Sequence, residues 1–350
     1  MRPLFFLVRF FFFYLKQLPI FVQIVQMKTI RQIQDSFEDY LQNLDYSRNP
    51  DALYEPIRYV LSLGGKRIRP TLLIAAYNMF AEDVERVYSA AAGMEIFHNF
   101  TLLHDDLMDH ADMRRGKPTV HRRWDVNTAI LSGDGMLVLA YRFLSEAGGK
   151  DVSSLLDIAN GTFTEIMEGQ QYDMEFETRD NVTEQEYIEM IRLKTSVLLA
   201  ACIKMGAVMG GATESDSALL YEFGEKLGLA FQLQDDLLDV YGDPAVFGKK
   251  IGGDILCNKK TYLYINASLL ADDMQRAELE RWKLYDGNDP QSKIDAVTAV
   301  YDATGVRQLS QRLIDRLFDE ALACLDKVDL PSERKLPLRE YAQSLMNRVL

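Results

Sequence analysis

Between Pro118 and Pro244 the chain runs for 125 residues without a proline. Proline removes a backbone donor and clashes with the preceding turn, so its absence over such a length permits long helices. Apolar spacing agrees. Ile30, Ile33, Phe37, Tyr40, Leu41 and Leu44 recur at helical steps, and residues 186–205 and 215–241 behave likewise. Long alternating runs that would signal strands are missing. Interruptions fall at Asn49-Pro50, Gly64-Gly65, Arg69-Pro70, Arg115-Gly116-Lys117-Pro118, Gly148-Gly149, Gly242-Asp243-Pro244 and Asn288-Asp289-Pro290. No linker rich in Ser, Pro or Gly divides the chain. The expected fold class is all-α, a large single-domain helical bundle of about a dozen helices over residues 27–350.

Composition narrows the function. With 48% hydrophobic and 26% charged residues the balance is that of a globular protein, which excludes disorder and a polytopic membrane protein. Fifty-two acidic against 39 basic side chains give a net charge of −13, which argues against general nucleic-acid binding. Cys202, Cys257 and Cys324 form no CxxC or Cys/His cluster, so neither a disulfide framework nor a zinc site is expected. A reducing cytoplasm is the expected compartment.

Residues 1–26 stand apart, with seven of the 18 Phe, three cations (Arg2, Arg9, Lys16) and no acid. The longest uncharged apolar stretch, Phe10 to Leu15, falls far short of the roughly 20 residues of a membrane span. A signal-peptide layout is missing as well. Three readings remain: an interfacial amphipathic anchor, a helix packed on the body, or a segment outside the working protein. The last is favoured, because helical periodicity begins at once after Met27.

The sharpest local feature occurs twice. Residues 104–109 read His-Asp-Asp-Leu-Met-Asp and residues 234–239 read Gln-Asp-Asp-Leu-Leu-Asp. On a helix, i and i+4 share a face, so Asp105 and Asp109 pair, with Asp106 at the shoulder, and Asp235, Asp239 and Asp236 repeat the pattern. Like charges at that spacing repel. Carboxylate oxygens suit Mg²⁺, which commonly bridges protein carboxylates to substrate phosphates. A single such turn is as easily an exposed acidic face. Two, each flanked by apolar residues, suggest helices facing each other across a polar cavity. Cations lie close by in sequence: Lys66, Arg67 and Arg69 on a glycine hinge, Arg114 and Arg115, and the loop 248–260 with Lys249, Lys250, Lys259 and Lys260. Cations and helix starts of this kind suit diphosphates.

These pieces occur in the order found in the trans-isoprenyl diphosphate synthases, or polyprenyl synthetases, which the chain resembles over about residues 28–350. They are GGKRIRP at 64–70, HDDLMDHADMRRGKP at 104–118, EGQQYDMEFE at 168–177, KTS at 194–196, FQLQDDLLDVYGD at 231–243 and GKKIGGDILCNKKT at 248–261. The resemblance implies an all-α isoprenoid synthase fold around a deep central cavity, usually as a homodimer. It implies head-to-tail joining of isopentenyl diphosphate to an allylic diphosphate, with release of pyrophosphate. By the same resemblance Asp105, Asp106, Asp109, Asp235, Asp236 and Asp239 bind Mg²⁺, three ions to a site. Arg114 matches a ligand of the allylic diphosphate. Lys66, Arg69, His98 and Arg115 match the isopentenyl diphosphate site. Lys194, Thr195, Gln232, Lys249 and Lys259 match residues around the allylic diphosphate, with Lys250 able to exchange with Lys249.

The chemistry is coherent beside the resemblance. Asp105 and Asp235 anchor the charge that stabilises departing pyrophosphate, and Lys194 and Thr195 can steady the allylic cation. The leaving pyrophosphate is the expected base. Phe100 lies five residues before Asp105, about 7.5 Å lower along a helix. Its ring can floor the channel for the growing chain, with Thr101 beside it and Phe97 one turn deeper. An aromatic there resembles short-chain synthases, so geranylgeranyl or farnesyl diphosphate is expected, the former ahead. His104 and His110 are expected to be secondary, His121 to lie in a loop or at a helix start, and Tyr172 and Glu175 to line or brace the cavity wall. The rival readings are a class I terpene cyclase, whose second metal motif differs from DDxxD, and a silent partner subunit, which should lack one turn. No stable membrane span and no nucleic acid are expected.

Overall fold

The computed structural model describes residues 27–243, 251–285 and 287–347. The apolar start of the chain, Lys249 and Lys250 therefore lie outside the described residues. The order of elements is helical almost throughout. The first half comprises α1 Ile30–Gln42, α2 Asp51–Ser62, α3 Ile68–Phe80, α4 Tyr88–Met108, a short α5 Val120–Arg123, α6 Val126–Gly148 and α7 Val152–Thr178. The second comprises α8 Glu184–Ile191, a π-helical segment Arg192–Ser196, α9 Val197–Gly210, α10 Glu214–Tyr241, a short α11 Gly253–Leu256, α12 Tyr262–Leu270, α13 Asp273–Lys283, α14 Pro290–Thr304, α15 Val306–Lys327 and α16 Ser332–Met346. As the proline spacing predicts, the longest helices, α6, α7 and α10, fall in the proline-free stretch.

Local sequence sets the ends. Thr29 caps α1 by accepting from Gln32 N, while the Gln32 side chain accepts from Thr29 N. The buried face of α1 is Ile33, Phe37 and Leu41, the periodic positions. Helices α3 and α9 are apolar on nearly every side and pack on each other at the centre, as helices without a polar face must. The run Glu184–Gly210 is long and apolar enough to cross a membrane, but 72% of its most apolar window is buried inside the protein. It is the central helix of the core.

Two apolar clusters result. The larger joins α1–α4, α6, α7, α9, the start of α10, the end of α15 and α16, and the smaller joins α8, the end of α10, α12–α14 and the start of α15. Helix α10 runs through both, with Leu220, Phe223 and Leu227 in one and Leu233, Leu237 and Val240 in the other. That continuity fixes the second aspartate turn, at the end of α10, relative to the first, at the end of α4.

One element departs from the sequence reading. Residues 113–118 form a small antiparallel hairpin, pairing Met113 with Pro118 and Arg114 with Lys117. Arg115 and Gly116 both have positive φ, 51° and 74°, which is the two-residue turn that matches strand twist.

Candidate active site

The first aspartate turn closes α4. Asp105 and Asp106 are helical and Asp109 is the C-cap, its N–H donating to Asp105 O at 2.9 Å. The hairpin lays Arg114 across this turn. Its Nε donates to both oxygens of Asp106, at 2.8 and 2.7 Å, and its Nη2 stands 3.9 Å from Asp105. Lys194 approaches from the other side, donating to Asp105 at 3.1 Å and Asp173 at 2.6 Å. Burial, which alone would lower the Lys194 pKa, is outweighed by Asp173 and Asp105, and the ammonium is held charged. Burial and the neighbouring Asp105 carboxylate push Asp109 up, against the pull of Lys194 and Lys259.

Lys194 and Thr195 belong to the π-helical segment, a widened turn of the kind found at functional sites. Glycine makes it possible. A Cβ at Gly169 on α7 would stand 2.4 Å from Lys194 N, and one at Gly228 on α10 would stand 2.6 Å from Ser196 Cα. Both helices can therefore press against the bulge only because those positions lack side chains.

A chain of hydrogen bonds leads from this bulge to the second turn. Thr195 Oγ1 donates to Gln232 Oε1 at 3.2 Å, and Gln232 Nε2 donates to Asp236 Oδ1 at 3.0 Å. Tyr187 donates to the other Asp236 oxygen in a short contact. Burial, with Asp254 and Asp235 adding charge, pushes Asp236 up to about 8. Asp239 accepts from the Asp254 N–H at 3.0 Å, which ties α10 to the Gly-Gly-Asp loop. Lys259 stands 3.7 Å from Asp254, and it feels Asp173, Asp109 and Asp105 as well, so its pKa rises despite burial.

A third group gathers at the glycine hinge. Arg69 Nη1 donates to His98 Nε2 at 3.0 Å, which leaves the ring proton on Nδ1 because an arginine can only donate. Burial and then the Arg69, Arg115 and Arg114 cations hold His98 neutral, well below its usual range. Arg69 Nε is buried with no partner among the described residues. Arg115 donates to Gly64 O, and its guanidinium fills the place where a Gly65 Cβ would stand. Lys66 is exposed beside them.

Every described non-glycine residue with positive φ, namely Arg67, His110, Arg115 and Asn258, lies in one of these three loops. Strained backbone concentrates where groups must be aimed.

Beneath the first turn the expected floor residues are packed together. Phe97 is fully buried and stacked on Phe163, with ring centroids 3.4 Å apart. Phe100 lies 5.5 Å from Phe97 and meets His104 edge-on at 4.8 Å. Thr101 donates to His98 O at 2.8 Å. His104 lies against Gly133 and faces Ile130 O, while His110 is exposed. His121 is the second residue of α5, as expected.

Tyr172 and Glu175 are exposed, and Asp173 carries the inward contact, to Lys194. Asp173 lies one turn after Gly169 on α7, so both share the face that meets the π-helical segment. Asp173, Tyr187 and Asp254 are the site residues that sequence reasoning missed. Asp173 sits inside the motif at 168–177 and Asp254 inside that at 248–261, which are the signals that could have found them.

A family model described as polyprenyl synthetase matches residues 50–303. A geranylgeranyl diphosphate synthase of Sulfolobus acidocaldarius is 33% identical over 322 residues, covering 89% of this chain and 95% of that one. The Methanosarcina mazei geranylgeranyl diphosphate synthase is 46% identical over 220 residues, 62% of this chain and 68% of that one. Among solved structures, a geranylgeranyl pyrophosphate synthase superposes with a TM-score of 0.87 at 40% identity, covering 93% of this chain and all of that one. With both aspartate turns and the glycine hinge inside the matched span, the chain belongs to the polyprenyl synthetase family.

Proposed function

We propose that the chain joins isopentenyl diphosphate to allylic diphosphates, head to tail, giving a short-chain all-trans prenyl diphosphate and pyrophosphate. The observation that carries this reading is the continuous set of contacts from Asp105 through Lys194 and Thr195 to Gln232 and Asp236. It makes one site of two acidic turns that lie 130 residues apart.

The donor set fits Mg²⁺. Among the described residues no three acidic or imidazole groups close a metal cage by themselves. An ion here would need substrate phosphates and water to complete its oxygen ligands. Asp105 and Asp109 on one turn, with Asp235 and Asp239 on the other, would hold the ions, three to a site. Asp106 and Asp236, expected as ligands, are taken up by Arg114 and by Tyr187 with Gln232, and orient their turns. Held there, Mg²⁺ would supply the positive charge that the leaving pyrophosphate needs when the allylic C–O bond ionises.

The remaining work falls to the chain. Arg114 and Lys259 hold the allylic diphosphate, together with Lys249 or Lys250. Lys66, Arg69, His98 and Arg115 hold isopentenyl diphosphate, with Arg69 Nε supplying a donor to one of its oxygens. Lys194, pinned by two carboxylates, and Thr195, pinned by Gln232, set oriented dipoles beside the cation. The proton lost after attack goes to the pyrophosphate. Phe100, braced by Phe97 and Phe163, floors the channel, and geranylgeranyl diphosphate is the principal product, ahead of farnesyl.

The active unit is residues 27–350, cytoplasmic, and a homodimer. Free thiols at Cys202, Cys257 and Cys324 support a reducing compartment. The exposed apolar residues Ile130, Leu131 and Val138 on α6 support a second copy as the partner. The test is incubation with Mg²⁺, dimethylallyl diphosphate and isopentenyl diphosphate, read by chromatography. Linear prenyl diphosphates are expected. Cyclic hydrocarbons would make the chain a cyclase, and no product would make it a silent partner.

A further inference from the structure

The glycine hinge carries one cation that the proposed reaction leaves unused. Arg67 lies between Lys66 and Arg69, yet it is only 6% exposed. Its backbone is left-handed, at φ 47°, and follows Gly64 at 75° and Gly65 at 143°. Such a run persists in a non-glycine residue only where the surroundings over-determine it. The Arg67 side chain makes those contacts. Nε donates to Glu38 at 3.0 Å, Nη1 to Glu95 at 2.7 Å and Nη2 to Leu61 O at 2.9 Å. Glu95 is held in turn by Asn99 Nδ2 at 3.0 Å. The Arg67 carbonyl opens α3 by accepting from Thr71 N and Thr71 Oγ1.

Glu95 lies one turn before His98 on α4, so one face of that helix receives both arginines of the hinge. The Arg67 contact fixes the backbone from which Lys66 and Arg69 project, and Arg69 reaches His98 from that same backbone. The two Glu carboxylates offset the Arg67 charge, leaving Lys66, Arg69 and Arg115 as the local cations.

We infer that Arg67, through Glu95 and Glu38, is a positioning residue that sets affinity for isopentenyl diphosphate without touching it. The inference rests on reading Lys66, Arg69, His98 and Arg115 as the isopentenyl diphosphate subsite. Removing Arg67 alone would strand Glu95 as an unpaired buried charge, so the principal variant replaces both, as Arg67→Met/Glu95→Met. Exchanging a buried ion pair for apolar side chains of similar size is often neutral for stability.

The experiment measures KM for each substrate with the full chain, beside a thermal melt by circular dichroism. The double variant should fold and raise KM for isopentenyl diphosphate by about ten- to a hundredfold, with KM for the allylic primer unchanged. Arg67→Lys, which can satisfy one acceptor but not all three, should give a smaller rise. An unchanged KM for isopentenyl diphosphate in the double variant would overturn the inference. If that variant fails to fold, the same result in Arg67→Lys would do so. A parallel change in both KM values and kcat would also overturn it, since that is what general loosening produces. Arg69→Ala separates the two levels. If Arg69→Ala leaves KM for isopentenyl diphosphate unchanged, the subsite reading falls, and the inference with it.

Discussion

Gly169→Ala should disable the site from outside it. The new Cβ would stand 2.4 Å from Lys194 N, 2.8 Å from Leu193 C and 2.9 Å from Leu193 Cβ. Ordinary contact begins near 3.4 Å. Two of the three neighbours are backbone, so no rotamer change relieves the clash, and α7 and the π-helical bulge must separate by about 1 Å. Overpacking of this kind costs about 1–3 kcal/mol. The same displacement draws Lys194 away from Asp105 and Asp173, now 3.1 and 2.6 Å from its ammonium. Misplacement by about 1 Å can cost roughly a hundredfold in rate. The assay pairs urea denaturation with steady-state turnover of the folded protein. Gly161, on the same helix, is the control, because nothing lies within 4 Å of its Cβ position. Gly161→Ala should stabilise by about 0.5–1 kcal/mol and leave turnover alone. Wild-type turnover in Gly169→Ala would refute the argument that close approach at this glycine sets the Lys194 position.

Other expectations follow from the same geometry. Phe100→Ala removes the ring between Phe97 and His104 and should lengthen the product by at least one isoprene unit, read with labelled isopentenyl diphosphate; an unchanged product would remove Phe100 as the floor. The same change should cost about 3–5 kcal/mol of stability. Asp236, raised to about 8, binds a proton more tightly folded than unfolded, so its stabilising contribution is full in acid and is lost as pH rises through 8. His98, held neutral, opposes this below its unfolded pKa, so the clean window is about pH 6.5–8. There the metal-free protein should lose up to about 1.4 kcal/mol per pH unit through Asp236. Asp236→Asn should flatten that slope in pH-dependent denaturation; an unaltered slope would assign it elsewhere. A chain beginning at Met27 should match the full chain in turnover, and a large loss would give residues 1–26 a working role.

The sequence carried a good deal of this. Both aspartate turns, the cations of the hinge and Arg114 were legible because they are local: i and i+4 on a helix are neighbours whatever the fold. The long helices α6, α7 and α10 were legible for the same reason, from the missing prolines. Asp173 is not distinguishable from Tyr172 and Glu175 by sequence, since which face of α7 meets Lys194 depends on its contact with the π-helical segment at Gly169. Tyr187 carries no local signal, because it matters only through Asp236, 49 residues away, and Asp254, though inside the motif at 248–261, shows its role only once its N–H is seen to meet Asp239. The hairpin at 113–118 looked like a simple stop. Its turn residues, Arg115 and Gly116, became informative only once the strands they join were seen to place Arg114 over Asp106.

What the sequence determined by itself was the chemistry on offer: two carboxylate turns, a set of cations and an all-helical frame to carry them. Short-range backbone geometry is enough for that. Tertiary structure decided how those groups divide the work. It turned Asp106 and Asp236 toward Arg114, Tyr187 and Gln232, and it buried Arg67 beneath a hinge whose Arg69 reaches His98. Those outcomes depend on burial and on charges contributed by distant helices, and neither is a property of any short stretch of chain.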